Sequence, residues 1–536
     1  MKIEYLDSTI AKKAFVNAAN KLDKNKEVVN ELNVFPVPDG DTGTNMSLTM
    51  QSAIKHIRNN NANTIDEIAK AASSGSLMGA RGNSGVILSQ LLRGFSKGLR
   101  GKEKIDVPIL ANAFKHATET AYKAVMKPIE GTILTVARES SEKAEELIGK
   151  EEDIISFLEQ VILAGEDALR RTPEMLDVLK KAGVVDAGGK GLIYILKGAL
   201  EAISGKIVEL SNEEFEKKEI QIHEAHDNDT EIKFGYCTEF IIKKTDIEPN
   251  EFRNYISKYG DSMLVVGSDE MIKVHIHTNN PGEVLEEALK NGELIDIKID
   301  NMRYQHENRV VSGKDKEMKK YSFIAISMGE GIKNVFEDLN VDHVITGGQT
   351  MNPSTEDILS AIDKVDGENI IILPNNSNII LAANQAKELS ERNIEVLPTK
   401  TIPQGISALL VFDEEIGLND NLENMKEIIN NVKTGQVTYA VRDTNINDKE
   451  IKKDDIMGIS DGDIKTVGKD IDQVTIDLLK EMVTEDNDII SLFYGEEIDE
   501  DKANNLAEKL QTEFNGVDIE TIYGGQPLYY YLVSVE

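Results

Sequence analysis

The chain has 536 residues, with 94 acidic against 60 basic side chains and a formal net charge of −34. A surface this poor in Lys and Arg argues against nucleic-acid binding and against adsorption to an anionic membrane, because both need cations to meet phosphates. Hydrophobic residues make up 40%, enough for packed cores, and the length suggests roughly two to four domains.

From Ser8 to about Ser204 the apolar residues recur at helical spacing, as in Ile10, Ala14, Phe15 and Ala18, or Met46, Met50, Ile54 and Ile57. Glycine-rich breaks interrupt the pattern at Pro38–Asp41, Gly75–Gly85, Glu130-Gly131 and Asp186–Gly191. The expectation is an all-α domain of about eight helices over residues 1–206. Residues 205–230 are polar and charged and read as a linker. Strand-like runs at 233–243, 263–267 and 271–278, with helices opening at Pro249 and Pro281, predict a small α+β domain over 231–312. The charged run 312–320 reads as a second linker. Strand-like segments 322–327, 343–345, 370–373 and 394–397 alternate with helical ones, predicting βα units and a mostly parallel sheet in an α/β domain over 320–536. Tyr529-Tyr530-Tyr531 reads as a strand with alternate rings buried. The single cysteine, Cys237, rules out an intrachain disulfide and suits a reducing compartment. Charges throughout residues 1–15 do not fit a signal peptide, and no apolar run approaches ~18 residues, so a cytoplasmic protein without a membrane span is expected.

Three constellations carry chemistry. The first is Asn33-Val34-Phe35-Pro36-Val37-Pro38-Asp39-Gly40-Asp41-Thr42-Gly43-Thr44-Asn45. The prolines stiffen the approach, the glycines permit a tight turn, and two carboxylates spaced by two residues offer hard oxygen donors suited to Mg²⁺. A helix starting near Thr44 would offer free N–H groups to an anion. From the pattern alone the loop reads as readily as one whose Asp caps the next helix. The second is Gly75–Gly85, with Asn83 and Ser84 leading into an apolar helix. Glycines let backbone approach phosphates, yet no Gly-Lys-Ser/Thr is present, and a capped helix–helix turn fits too. Glu130-Gly131-Thr132 and Asp186-Ala187-Gly188-Gly189 are weaker turns of the same kind. The third is His275-Ile276-His277, whose alternation puts both imidazoles on one face of a strand. With Cys237 they form a set that suits Zn²⁺, or else a surface histidine pair and a buried cysteine. Gly347-Gly348-Gln349-Thr350 after a strand reads as a phosphate cradle or an ordinary βα turn, and the turn is favoured.

The loop Asp39-Gly40-Asp41, the segment Gly75–Gly85 and the turn Asp186–Gly189 resemble the ATP-binding subunit of dihydroxyacetone kinases. Asn33–Gly43, Tyr236-Cys237-Thr238-Glu239-Phe240, Gly347-Gly348-Gln349-Thr350-Met351-Asn352-Pro353 and Gly524-Gly525-Gln526-Pro527-Leu528-Tyr529 resemble the catalytic subunit of bacterial fatty acid kinase, in family order along nearly the whole chain. The resemblance implies an eight-helix barrel in which Asp39 and Asp41 are catalytic and bind a Mg²⁺ pair on ATP. Asn33 is the nearest counterpart of a third acidic ligand, offset by one residue and neutral. Thr42, Thr44, Asn45, Gly79, Asn83, Ser84, Gly131, Thr132, Asp186 and Gly188 would surround the nucleotide. It also implies a Zn²⁺ on Cys237, His275 and His277, a homodimer, and a C-terminal domain that docks a fatty-acid-binding carrier protein. The implied reaction phosphorylates the carboxylate of a carrier-held fatty acid and yields an acyl phosphate for phospholipid synthesis. Arg81 or Arg138 would stabilise the transferring charge. Two other readings stay open: a kinase of a small hydroxylated metabolite such as dihydroxyacetone, and a nucleotide-sensing scaffold without turnover. Thr42, where dihydroxyacetone kinases often have His, and the long C-terminal extension disfavour the first.

Overall fold

The computed structural model describes the chain except for residues 1, 34–39, 61, 126, 206–233, 244–246, 248, 269–270, 302–318, 349–350 and 447–448. Some side chains of the middle sheet, Cys237 and His275 among them, are also outside the description. The expected linkers at 205–230 and 312–320 fall almost wholly outside it. The chain forms two compact units: Met1–Ser211 together with Lys319–Glu536, and Asn212–Met318.

Among the described residues, the N-terminal part of the first unit is helical throughout. Eight long helices are α1 (Ser8–Lys24), α3 (Thr42–Asn59), α4 (Ile65–Met78), α5 (Gly82–Leu99), α6 (Val107–Ala124), α7 (Ile133–Glu146), α8 (Ile154–Met175) and α10 (Ala187–Ile203). Two short helices, α2 (Lys26–Asn30) and α9 (Asp177–Ala182), lie between them. Local chemistry sets the starts. Asp7, Asp106, Asp153 and Asp186 each accept a backbone N–H from the first turn of the helix they precede. Thr64 and Glu67 close a reciprocal capping box on α4. The apolar stripes meet in a core holding Leu22, Met46, Met50, Ile57, Ile68 and Val136. An apolar cavity of about 140 Å³ lies within the bundle against Phe15, Phe95 and Phe114.

The second unit contains strands β1 (Tyr236–Lys243), β2 (Gly260–Ser268), β3 (Met271–Thr278) and β4 (Glu293–Asn301). They form an antiparallel sheet in the order β2-β3-β1-β4. Helices Pro249–Ile256 and Pro281–Leu289 begin at the two prolines. Phe240, Ile242, Phe252, Ile272, Val274 and Ile276 form its core.

The C-terminal part of the first unit is α/β. Strands β5 (Tyr321–Ser327), β6 (His343–Thr346), β7 (Asn369–Leu373) and β8 (Asn393–Val396) form a parallel sheet in the order β6-β5-β7-β8. Helices Glu330–Asp338, Thr355–Ile362 and Ile380–Leu389 connect them. Every residue of β5 is buried, as a central parallel strand requires. Next come β9 (Lys433–Tyr439) and a small antiparallel pair, β10 (Thr444–Ile446) and β11 (Lys449–Ile451). They are followed by β12 (Ile456–Ser460), β13 (Asp463–Gly468), β14 (Ile489–Tyr494), β15 (Asp518–Tyr523) and β16 (Tyr529–Val535). With β9 these last five make a second, mixed sheet in the order β13-β12-β9-β16-β14-β15. In β16, Tyr529 and Tyr531 are buried while Tyr530 is less so, the period-two pattern of a strand.

Candidate nucleotide and metal site

A cavity of about 260 Å³ opens where the N-terminal ends of α3, α5, α7 and α10 come together. Asn33, Asp41, Thr42, Asn45, Asn83, Ser84, Thr132, Asp186 and Gly188 all line it. The lining divides by chemistry. Leu32, Ile87, Ile133, Leu179 and Ala187 supply an apolar wall, and Asp41 and Asp186 supply carboxylates. No Lys or Arg is among the described residues that line it. A polyanion can enter such a place only with cations that offset the carboxylates.

The start of α3 is held from α2. Asn30 Oδ1 accepts from the backbone N–H of Gly43 at 2.8 Å and of Thr44 at 3.2 Å, and Asn30 Nδ2 donates to Thr44 Oγ1 at 3.1 Å. The α3 N-terminus, expected to begin near Thr44 with N–H groups free for an anion, therefore begins at Thr42 and is already capped. Thr44 serves that cap rather than the cavity wall. Asn33 Oδ1 accepts from Thr42 Oγ1 at 2.7 Å. Asp41 is buried at 7% exposure, and its Oδ2 accepts from Asn352 Nδ2 at 2.5 Å. Asp39 lies outside the described residues.

The start of α5 differs. It follows Arg81, whose side chain does not cap it, so this is the helix end whose dipole suits phosphate oxygens. Gly82 there has φ +57°, and a Cβ at that position would sit 2.5 Å from Asn45 Nδ2. Only glycine satisfies both conditions. Ser84 lies inside the first turn and does not cap. Gly79 is absent from the cavity wall; a Cβ on it would strike the Ser52 side chain, so it serves the α3–α4 contact. Gly131 is also off the wall, with φ +86° and its N–H donated to Thr135 Oγ1 at 2.8 Å. Thr132 caps α7 through Leu134 N. Asp186 caps α10 by accepting from Gly189 N at 2.6 Å. Its carboxyl touches the cavity but is otherwise walled in by protein, and this desolvation pushes its pKa up to about 6 against the two backbone N–H groups that favour the anion.

Neither arginine suggested for charge stabilisation is free. Arg138 pairs with Glu130, Glu139 and Glu142. Arg81 donates to the Asn352 carbonyl at 2.7 Å and lies 3.3 Å from Asp357. The apolar bundle cavity has only Thr118 and Ser140 as polar lining and no carboxylate, so it does not suit a phosphate.

Sequence reading missed the contribution of the α/β part. Asn378 lines the cavity and accepts from Asn83 Nδ2 at 3.2 Å. Arg442 Nη2 donates to the Asn33 carbonyl at 2.6 Å. The Oδ1 atoms of Asn45, Asn83 and Asn352 are buried with no hydrogen-bond partner among the described residues. Uncommitted hard oxygens near a carboxylate are what Mg²⁺ binds, so these residues fit the ion.

In the second unit, Cys237 pairs with His277, and Glu239 with His275, in the β1–β3 register. The Cys237 and His275 side chains are outside the description. Among the described residues, no group of three or more His, Cys, Asp or Glu forms a metal cluster.

The helical region matches the DAK2 domain over residues 36–201, which defines the class as a kinase. Residues 233–309 match the middle domain, and residues 322–536 the C-terminal domain, of the FakA-like fatty acid kinases. The chain belongs to this FakA-like fatty acid kinase family, whose catalytic part is of the DAK type. Uncharacterized proteins of Staphylococcus aureus strains USA300 and MRSA252 are each 44% identical to it over 97% of both chains. The solved dihydroxyacetone kinase of C. freundii in complex with AMP-PNP and Mg²⁺ is 16% identical, with TM-score 0.29, over 38% of this chain and 35% of its own. A fatty acid binding DegV family protein from Streptococcus agalactiae is 12% identical, with TM-score 0.28, over 40% of this chain and 98% of its own. No helix among the described residues is long and apolar enough to cross a membrane.

Proposed function

We propose that this kinase transfers the γ-phosphoryl group of Mg-ATP to the carboxylate of a fatty acid held by a separate acyl-binding protein. The products are ADP and an acyl phosphate for phospholipid synthesis. The observation that carries the reading is the cavity itself, whose described lining holds carboxylates, free amide oxygens and an apolar wall suited to a purine, with no basic residue among them. Family membership supplies the fatty acid.

A carboxylate with pKa about 4–5 is ionised at pH 7, so no general base is needed. The difficulty is anion meeting anion. Asp39 and Asp41 would hold a Mg²⁺ pair, with Asn33 the expected third ligand; bound there, the ions neutralise the β- and γ-phosphate oxygens. Asn45, Asn83 and Ser84 would orient the phosphates at the α5 start, and Thr132, Asp186 and Gly188 the rest of the nucleotide. The acceptor oxygen attacks the γ-phosphorus as the bond to the ADP oxygen breaks. In this reading the eight long helices form the barrel, the domains divide at 1–206, 231–312 and 320–536, and the C-terminal domain docks the carrier. The protein works in the cytoplasm as a homodimer, with a structural Zn²⁺ at Cys237, His275 and His277.

The test is ADP release from Mg-ATP by the full chain, with and without fatty-acid-loaded carrier, in wild type and Asp41→Ala. Carrier-dependent release that Asp41→Ala abolishes supports the reading. Equal release without the carrier rejects the substrate assignment.

A further inference from the structure

Asn352 sits in the segment after β6, more than three hundred positions along the chain from the loop it touches, and is fully buried. Three contacts seat this segment against the helical domain. Arg81 donates to the Asn352 carbonyl at 2.7 Å, Thr355 N donates to the Ala80 carbonyl at 3.2 Å, and Arg81 and Ser354 form an isolated antiparallel bridge. A second strap is the Asn83–Asn378 bond, and Asn376 in turn donates to the Gly348 carbonyl. Within this clamp the Asn352 side chain has one evident job. Its Nδ2 donates to Asp41 Oδ2 at 2.5 Å, while its Oδ1 is buried without a partner among the described residues.

Leaving a buried amide oxygen unpaired is unfavourable. An apolar side chain would avoid the orphaned oxygen but would leave the buried Asp41 carboxylate without this donor. The arrangement makes sense if the N–H fixes the carboxylate and the oxygen is kept for a cation or for the water shell around one. Asn45 adds to the case. Its Oδ1 is also unpartnered, and the position a Cβ would take on Gly82 lies 2.5 Å from Asn45 Nδ2 and 3.4 Å from Asn352 Nδ2. The two amides are therefore neighbours.

We propose that Asn352 of the α/β domain is a positioning residue for the phosphate-binding metal: it locks the Asp41 carboxylate in place and offers its own Oδ1 toward the same ion. The metal centre of the helical domain is then completed only when the α/β domain is seated on it. This inference rests on the reading of Asp41 as a metal ligand.

The experiment measures Mn²⁺ affinity of the full chain in the presence of a non-hydrolysable ATP analogue, by the electron paramagnetic resonance of free Mn²⁺. Wild type, Asp41→Asn, Asn352→Ala and Asn352→Asp are compared. Loss of an outer partner of a metal ligand typically weakens binding about 10–100-fold, and Asn352→Ala is expected to fall in that range. Asn352→Asp sets two carboxylates against each other in the metal-free protein. It is expected to melt lower than wild type without Mg²⁺ and to recover most of the difference with it. Unchanged Mn²⁺ affinity in Asn352→Ala, or an Asn352→Asp protein that Mg²⁺ does not rescue, overturns the inference while leaving the kinase reading intact. Wild type that binds no Mn²⁺ with nucleotide, or Asp41→Asn that binds it fully, overturns the metal reading and the inference together.

Discussion

Asp186 offers a perturbation whose size the structure sets. Its carboxyl caps α10 while desolvation raises its pKa from 3.8 to about 6. Below pH 3.8 both the folded and unfolded chains hold the proton, and the group is neutral to stability. Between about 4 and 6 the folded chain keeps a proton that the unfolded chain has lost, so stability falls as pH rises. Above 6 the carboxylate is ionised in both states, and the full penalty of about 3 kcal/mol applies. Asp186→Asn keeps the cap acceptor and removes the charge. It should therefore stabilise the helical domain at about pH 7.5 and lose most of that advantage toward about pH 4.5. If the helical domain of about 200 residues melts as a unit, the gain at the higher pH is roughly 6–10 °C. Melting curves of wild type and variant, followed by far-ultraviolet circular dichroism across that pH range, read this directly. A variant less stable than wild type by the same amount at every pH would instead make the carboxylate a net stabilising cap and rule out the desolvation penalty.

Two further outcomes can be measured, one set by the geometry at Gly82 and one by the proposed zinc site. Gly82→Ala must place a side chain at φ +57° and 2.5 Å from Asn45 Nδ2, whereas Gly101→Ala meets only its φ of +69° with nothing within 4 Å. Both should lose about 1 kcal/mol to backbone strain, but only Gly82→Ala should also weaken nucleotide binding in calorimetric titration; equal binding in the two variants would clear Gly82 of any role at the cavity. Native protein should carry one zinc per chain by elemental analysis, lost in a Cys237→Ser/His275→Ala double variant, and zinc-free native protein would reject that site.

Much of the fold was readable because it is local. The proline-initiated helices at Pro249 and Pro281, the parallel strands β5 to β8 and the glycine breaks all announce themselves within a few residues. Strand β4 was overlooked although Ile295, Ile297 and Ile299 alternate with polar neighbours, a signal that was available. The capping role of Asn30 was harder to read, since its partners Gly43 and Thr44 lie across a loop whose path the sequence does not state. Asn352, Asn378 and Arg442 were beyond reach for a stronger reason. Each meets the helical domain through a contact spanning roughly 300 residues or more, and single-sequence periodicity carries no information about such pairs. The glycines at 79 and 131, which motif membership places around the nucleotide, are not on the cavity wall; close packing at the first and a left-handed turn at the second each call for glycine there.

If the acceptor is a carboxylate, the product is an acyl phosphate and can be trapped chemically. Acyl phosphates react with hydroxylamine to give hydroxamates, so the full chain is incubated with Mg-ATP, fatty-acid-loaded carrier and hydroxylamine. A fatty hydroxamate should form in step with ADP, and neither product should form with Asp41→Ala. ADP released without hydroxamate would contradict this and place the phosphoryl group on another acceptor.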